Sequence, residues 1–237
     1  MRSEVIALLK ELNRQFYDDF AEVFSASRSS SEPGLEKILR QVHSGDRVLD
    51  LGCGQGRLVP LLPGDCTYVG MDFSVKMLAV AQQQADAANV EAHFVVGDLL
   101  ATDWPVAGET YDWIILRAVL HHVPGLENRQ AILRAASHLL APNGKIVMAN
   151  WQFLDIERLR RRVLDWATLD LSASDVEPGD YLLDWQRDGY GLRYVHLVDE
   201  DETCALAEVA NLHITSLFRA DGHRNNLTLY TVLSRSN

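Results

Sequence analysis

Short apolar runs and helix-spaced apolar positions alternate along the first 150 residues of the chain. Apolar runs with the length of buried strands lie at residues 48–51, 67–71, 92–96, 113–116 and 145–149. Between these runs, helices are predicted from about Gln55 onward, at 75–88 and at 128–140. Strict alternation of strands and helices predicts an α/β fold with a parallel, doubly wound sheet and right-handed crossovers.

The pattern changes on either side of this alternating region. Residues 3–28 space their apolar side chains as an amphipathic helix does, and a second helix is predicted at 35–43. Residues 151–196 lose the alternation, and an insertion that follows the pocket edge of a sheet is typical of a substrate-binding cap. A helix at 202–210 and strands at 214–218 and 227–233 complete the pattern.

We expect one domain spanning residues 1–237, although the length alone also allows two domains. Within it, N-terminal helices are expected at 1–44 and the cap at 151–196. Hydrophobic residues make up 47% of the chain and charged residues 23%, as in an ordinary globular protein. The three cysteines, Cys53, Cys66 and Cys204, are too scattered for a disulfide framework or a metal site, so free thiols are expected.

Charge and hydropathy restrict the partners. The net charge is −11, and neither half of the chain is basic, which counts against broad binding to nucleic-acid phosphates. We therefore expect no DNA partner. The first 15 residues carry charges throughout, unlike a signal peptide, and no apolar run approaches the ~20 residues of a membrane span. A cytoplasmic protein without a membrane partner, either monomer or homodimer, is expected.

Three glycines follow the first predicted strand at alternate positions. Residues 47–58 read RVLDLGCGQGRL, which predicts a strand that ends in a loop passing close to a ligand, since glycine lacks a Cβ. The dinucleotide fingerprint G-x-G-x-x-G would need a glycine at position 57, where this chain has Arg57. A nicotinamide-dependent oxidoreductase is disfavoured for that reason, although a related sheet would suit one.

Polar residues follow the next strands. A carboxylate such as Asp72 accepts hydrogen bonds from paired ribose hydroxyls, but an aspartate there also caps helices, and Ser74 is the better cap. Gly97 and Asp98 follow the third strand, where a plain turn is the alternative. His121 and His122 should border the pocket; at most one of them should face a ligand, and a structural role is the commoner one for a lone histidine.

The motifs DLGCGQG, MDFS, GDLL, YDWIIL and PNGKIVM resemble, in order and spacing, the class I S-adenosylmethionine-dependent methyltransferases over residues 47–150. The resemblance implies a Rossmann-like sheet of seven mostly parallel strands, S-adenosyl-L-methionine as cofactor and S-adenosyl-L-homocysteine as product. It places Asp50, Gly52 and Gly54 at the methionine part, Asp72 at the ribose, Asp98 at the adenine and Arg117 near the methyl group. The rest of the implied cofactor site comprises Tyr17, Arg28, Cys53, Phe73 and Leu99.

A narrower resemblance extends beyond this core. FSASR at 24–28, LHHVP at 120–124, residues 180–185 and RYVHL at 193–197 look like the methyltransferases that esterify carboxymethyluridine at the tRNA wobble position. That family has a tyrosine before the histidine where this chain has Val195. The acidic balance and the short insertion also depart from a tRNA-binding form, so tRNA and a small molecule both remain possible acceptors.

The acceptor decides which side chains are catalytic. A carboxylate needs no general base but needs a positive clamp, for which Arg28 and Arg193 are the candidates. A hydroxyl or amine benefits from a base, for which His121, His122 or His196 are the candidates. No ligand spacing typical of a metal site occurs, so we expect a metal-independent reaction. A non-catalytic cofactor-binding or regulatory module is the alternative from another class.

Overall fold

A computed structural model describes residues 1–26, 32–88, 90–101, 103–106, 108–186 and 189–235, and side chains within these ranges except at 21–26. Arg28 therefore lies outside the described residues. The described helices include none long and apolar enough to cross a bilayer.

A seven-stranded sheet forms the centre of the protein. Its strands are β1 (Arg47–Leu51), β2 (Thr67–Asp72), β3 (Ala92–Val96), β4 (Tyr111–Arg117), β5 (Leu140–Trp151), β9 (Leu212–Ala220) and β10 (Thr228–Arg235), numbered in chain order together with the three strands of a second sheet given below. The spatial order is β3-β2-β1-β4-β5-β10-β9, and in this sheet only β10 runs against the others. The predicted sheet of seven mostly parallel strands is confirmed.

Helices cover both faces of the sheet. The helices of the described chain are α1 (Ser3–Ala26), α2 (Pro33–Leu39), α3 (Val75–Ala88), α4 (Leu126–His138), α5 (Glu157–Arg160) and α6 (Glu200–Val209). On one face, Ile114, Ile146 and Met148 pack with α4 and α6. On the other face, Val48, Ile115 and Val147 pack with α2 and α3. Side chains of successive strand residues point to opposite faces, so each strand serves both cores.

The prediction of a helix from Gln55 onward is wrong. Turns and a short 3₁₀ helix, Val59–Leu61, occupy this segment instead. Pro60 and Pro63 are the physical reason, because proline lacks an amide hydrogen and its ring clashes with the preceding helical turn. The glycine loop is therefore followed by compact turns and not by the N-terminus of a long helix.

A separate three-stranded antiparallel sheet follows β5. It consists of β6 (Val163–Leu164), β7 (Asp180–Trp185) and β8 (Gly191–His196), in the order β6-β7-β8. We call this sheet and the residues between its strands the small sheet. Its strands fall within the segment for which a cap was predicted.

The small sheet holds α1 in place. Asn13 of α1 donates from Nδ2 to the carbonyl oxygen of Tyr194 at 3.1 Å, and its Oδ1 accepts from the Tyr194 amide at 2.8 Å. Val5 and Leu9 of α1 pack on the Tyr194 side chain in the same cluster. One amide side chain thus satisfies both backbone groups of a strand residue, which fixes the register of α1 against β8.

Candidate functional site

A cavity of about 590 Å³ lies where the loops after β1, β2, β3 and β4 meet. This is the carboxyl edge of the parallel strands, where open α/β sheets bind their ligands. Helix α1 covers one side with Lys10, Glu11, Asn13, Arg14 and Tyr17. The volume falls within the roughly 300–1,000 Å³ typical of small-ligand sites.

The glycine loop brings bare backbone to this cavity. Gly52, Gly54 and Gly56 have φ values of +73°, +55° and +71°, in the left-handed region that glycine tolerates. A Cβ at Gly52 would meet Val119 Cγ2 at 2.6 Å, and one at Gly56 would meet Ala81 Cβ at 2.9 Å. A Cβ at Gly54, which lines the cavity, would meet nothing within 4 Å. Two glycines are therefore required by packing, and Gly54 leaves its space to a ligand.

Asp72 joins the glycine loop to the start of α3. Its Oδ2 accepts from the Gly54 amide and its Oδ1 accepts from the Ser74 amide, both at 2.9 Å. The Phe73 amide binds this carboxylate as well, which leaves Asp72, at the cavity lining, one of its four lone pairs for a ligand hydroxyl. Ser74 Oγ accepts from the Met77 amide at 3.3 Å, which is the helix-capping role expected of Ser74.

Asp98 lies at the cavity wall after β3. Its Oδ1 accepts from the Leu100 amide at 3.0 Å, and its Oδ2 forms an ion pair with Lys10 of α1. Phe73 and Leu99 line the same wall, and Phe73 is 45% exposed. An apolar ring beside a carboxylate is a suitable surface for a flat, amino-bearing base. The ion pair between Lys10 and Asp98 therefore links α1 to the loop after β3.

Cys53 lines the cavity, but burial raises the pKa of its thiol, so the thiol stays protonated. Asp50 is buried behind the cavity and does not line it. The hydroxyl of Tyr68 donates to Asp50 Oδ2 at 2.7 Å. Burial raises the pKa of Asp50 to about 6, which the Tyr68 hydrogen bond partly offsets.

Arg117 ends β4 and lines the cavity. It binds Glu32 through two hydrogen bonds, from Nε at 2.7 Å and from Nη2 at 2.6 Å. Arg57 lines the cavity as well, and burial together with the neighbouring Arg117 lowers the pKa of Arg57. Glu32 also interacts electrostatically with Arg57, so two guanidinium groups share this carboxylate.

The two adjacent histidines point in different directions. His122 lines the cavity, and its Nε2 lies 2.7 Å from the hydroxyl of Tyr17. His121 is only 1% exposed and turns towards β5, where its Nδ1 accepts from the Trp151 amide at 3.3 Å. Only His122 is therefore available to a ligand, in agreement with the expectation that at most one of the pair faces it.

Arg193 is buried behind Tyr17 and does not line the cavity. Its guanidinium carbon lies 4.8 Å from the ring centroid of Trp151, 5.4 Å from that of Phe16 and 5.7 Å from that of Trp185. Burial lowers the pKa of Arg193, while a hydrogen bond with Tyr17 acts in the opposite direction. An arginine among aromatic rings is stabilised by cation–π contacts, and here it reaches the cavity only through Tyr17.

His196 belongs to a different cluster, at the junction of the small sheet, α4 and α6. Its Nδ1 lies 2.6 Å from Asp180 Oδ1 and its Nε2 lies 2.5 Å from Glu202 Oε2. Arg129, which is 1% exposed, binds Glu202 at 2.6 Å and Glu177 at 3.2 Å. Glu177, Asp180 and His196 bring potential metal-ligand atoms within 4.8 Å of one another. Both His196 nitrogens already bind carboxylates, so the cluster is satisfied as an ion-pair network.

Sequence reasoning missed several residues of the cavity. Lys10, Asn13 and Arg14 lie there because α1 packs across the edge of the sheet, which no local pattern in a helix reveals. Arg57 also lines the cavity, but in the sequence it is recognised only as a departure from the dinucleotide motif. Its position directly after the glycine loop was the available signal, since residues of that loop border the ligand.

A family model described as a methyltransferase domain matches residues 48–144. These residues supply β1 to β4 and the glycine loop, with Asp72, Asp98 and Arg117 at the cavity. Residues 48–144 therefore carry a methyltransferase domain. The expected fold is confirmed, and this match agrees with the expected family and with its cofactor, S-adenosylmethionine.

This methyltransferase domain has relatives that act on different acceptors. The chain is 30% identical over 148 residues to tRNA (carboxymethyluridine(34)-5-O)-methyltransferase ALKBH8 of Mus musculus, and this alignment covers 62% of this chain and 21% of that protein. It is 25% identical over 161 residues to 27-O-demethylrifamycin SV methyltransferase of Amycolatopsis mediterranei, covering 64% of this chain and 58% of that protein. The chain thus spans about a fifth of the first relative and about three-fifths of the second.

The methyltransferase fold is also found among solved structures. An S-adenosylmethionine-dependent methyltransferase from Clostridium acetobutylicum superposes with a TM-score of 0.65, over 94% of this chain and 99% of that chain. The two sequences are 12% identical, so this likeness concerns the fold.

Proposed function

We propose that the chain transfers a methyl group from S-adenosylmethionine to the oxygen of a small-molecule acceptor. One observation carries the proposal: His122, which the resemblance does not place in the cofactor site, shares a single cavity with the glycine loop. A methyl donor bound at the glycine loop would therefore meet a proton-accepting side chain in the same cavity. The approximate volume of 590 Å³ leaves room beside a cofactor for an acceptor group.

The cavity fits the cofactor chemically. We propose that its binding residues are the expected set, namely Tyr17, Arg28, Asp50, Gly52, Cys53, Gly54, Asp72, Phe73, Asp98, Leu99 and Arg117. Gly54 offers backbone with free space beyond it, and Asp72 keeps an acceptor for a ribose hydroxyl. Asp50 does not line the cavity, so in this proposal it acts through the backbone of the loop.

S-adenosylmethionine supplies a methyl group already activated on a sulfonium. The protein has to align the acceptor with that methyl group and to exclude water. Helix α1 serves the second purpose, because Asn13 and Tyr17 close one side of the cavity. Arg117 serves the first, because its two bonds to Glu32 hold its guanidinium rigidly at the end of β4.

Charge pairing around the cavity favours a small acceptor. Lys10 is paired with Asp98, and Arg14 is paired with Glu11 and Asp18. Basic side chains that are neutralised in this way add little attraction for a phosphate backbone. The net charge of −11 points in the same direction.

A modified tRNA wobble uridine is the second candidate acceptor, and the similarity to tRNA (carboxymethyluridine(34)-5-O)-methyltransferase ALKBH8 favours it. In that case Arg193 or Arg28 would have to reach the acceptor carboxylate. The aromatic rings around Arg193 and the intervening Tyr17 count against this role for Arg193. We further propose a metal-independent, cytoplasmic enzyme that is monomeric or homodimeric, with a single domain over residues 1–237.

A labelling experiment distinguishes the two acceptors. The purified protein is incubated with methyl-labelled S-adenosylmethionine and either total tRNA or a metabolite extract. Label in the small-molecule fraction is expected, and label in tRNA alone would reject the proposal in favour of the second candidate. Calorimetric titration of S-adenosylmethionine accompanies the assay, because tight binding without transfer to either fraction would indicate a non-catalytic module.

A further inference from the structure

Tyr17 and His122 form a hydrogen-bonded pair on the wall of the cavity. The Tyr17 hydroxyl lies 2.7 Å from His122 Nε2, and both residues line the cavity. Their ring planes are inclined at 78°. Tyr17 comes from α1 and His122 from the 3₁₀ helix Leu120–His122, so the pair forms only when α1 is docked.

The other nitrogen of His122 sets the direction of this hydrogen bond. His122 Nδ1 lies 3.3 Å from the carbonyl oxygen of Tyr194, which can only accept, so Nδ1 carries a proton. In a neutral imidazole Nε2 is then unprotonated and accepts the hydrogen bond. Tyr17 is consequently the donor of the pair and His122 the acceptor.

Arg193 fixes the Tyr17 hydroxyl from behind. A guanidinium only donates, so the hydrogen bond between Arg193 and Tyr17 uses the phenol oxygen as acceptor. Contacts with Trp151 and Phe16 hold Arg193 in place. The phenol oxygen accepts from Arg193, donates to His122 and keeps one lone pair for a group in the cavity.

We propose that Tyr17 is the general base for a hydroxyl acceptor, with His122 receiving the Tyr17 proton and Arg193 as a positioning residue. This inference rests on the proposed function and specifies its substrate class as a hydroxyl compound. A carboxylate acceptor carries no proton at neutral pH, so it would need no base and the pair would have no proton to accept from it.

The proton and charge balance is complete. The acceptor oxygen forms a bond to the methyl carbon while the carbon–sulfur bond breaks. The electron pair of the broken bond stays on sulfur, which becomes a neutral thioether. The acceptor proton moves to the Tyr17 oxygen, and the Tyr17 proton moves to His122 Nε2. The positive charge lost from the sulfonium therefore appears on the His122 imidazolium, which donates from Nδ1 to Tyr194.

Two phenols provide the test. Phenol is protonated in mildly alkaline buffer and needs a base, whereas 4-nitrophenol is largely ionised and does not. Methyl transfer from S-adenosylmethionine to each is measured as release of S-adenosylhomocysteine, for wild type, Tyr17→Phe and His122→Asn. Both variants are expected to lose about 10²–10⁴-fold in kcat on phenol, and at least about tenfold less on 4-nitrophenol, so that the difference between the two losses reports the proton transfer alone. Tyr190→Phe is the matched control, since Tyr190 is 62% exposed and does not line the cavity.

Several outcomes would overturn the inference. These are equal losses on both phenols, unchanged kcat of Tyr17→Phe on phenol, or S-adenosylmethionine binding without turnover of phenol. Failure of S-adenosylmethionine to bind in calorimetry would instead overturn the proposed function. Arg193→Lys keeps a donor and is expected to retain more kcat on phenol than Arg193→Met, at similar KM.

A second measurement requires no acceptor. Nitrogen-15 NMR, with the His122 signal assigned from its absence in His122→Asn, reports which ring nitrogen carries the proton. The Nδ1-protonated neutral form is expected in wild type. A neutral form protonated at Nε2 would contradict the direction of the Tyr17 hydrogen bond and overturn the inference.

Discussion

Replacing Asp72 by alanine separates its two roles in the cavity. The substitution removes the acceptors of the Gly54 and Ser74 amides, both at 2.9 Å, together with the lone pair proposed to bind ribose. Hydrogen bonds to charged groups contribute about 1.5–3 kcal/mol each, and water can replace part of this, so the free energy of unfolding should fall by about 2–4 kcal/mol. Loss of the ribose contact should raise the Kd for S-adenosylmethionine at least about tenfold, or about 1.4 kcal/mol.

Calorimetry of the purified variant measures the affinity, and thermal unfolding verifies that it is folded. Asp112→Ala is the matched control, because Asp112 Oδ2 accepts from the Arg47 amide at 2.9 Å at the opposite end of the sheet. This control should lose stability while its Kd for S-adenosylmethionine stays unchanged. A folded Asp72→Ala protein that binds as tightly as wild type would refute the ribose assignment.

Three further predictions concern buried charges. Burial raises the pKa of Asp50 to about 6, so its contribution to stability is present below about pH 4 and lost as the pH rises through 6. The free energy of unfolding of Asp50→Asn should therefore exceed that of wild type by up to about 3 kcal/mol more at alkaline pH than in acid. A difference between the two proteins that does not change with pH in urea titrations would contradict this. Burial lowers the pKa of His196, but its hydrogen bonds to Asp180 and Glu202 outweigh this effect, so the pKa is raised. His196→Gln should therefore destabilise the protein more in mild acid than in alkali. Melting curves that show the reverse would disprove this. Arg129→Met leaves Glu177 without its counter-ion and Glu202 with His196 alone. The free energy of unfolding should fall by about 3–5 kcal/mol, or roughly 10 °C in Tm, and a fall below about 1 kcal/mol in thermal unfolding would mean that the network adds little.

The strands, and the place of Asp72 and Asp98 at one edge of the sheet, could be predicted because both depend on local sequence. Asp72 and Asp98 each follow an apolar run directly, so the sheet topology alone brings them to one edge. The helix after Gln55 was predicted from spacing, and the two prolines of that segment outweighed it. Helix propensity is a weak guide wherever proline removes amide hydrogens.

The acceptor side could not be predicted because it depends on long-range packing. Tyr17 meets His122 across 105 positions of sequence, through the docking of α1 on β8. Arg193 and His196 lie within one short motif, yet Arg193 reaches Tyr17 and His196 reaches Glu202. A motif names the residues but leaves open which neighbour each side chain meets.

The two hydrogen bonds between the Asn13 side chain and the backbone of Tyr194 have a consequence for redesign. These bonds make α1 and the small sheet one exchangeable module, while the strand loops proposed to hold the cofactor form another. No side chain of the described part of the small sheet lines the cavity, so this sheet contributes to the cavity only by holding α1. A chimaera with a different acceptor range therefore has to import α1 and β6–β8 together, because a foreign helix without an Asn13 equivalent loses its register on β8.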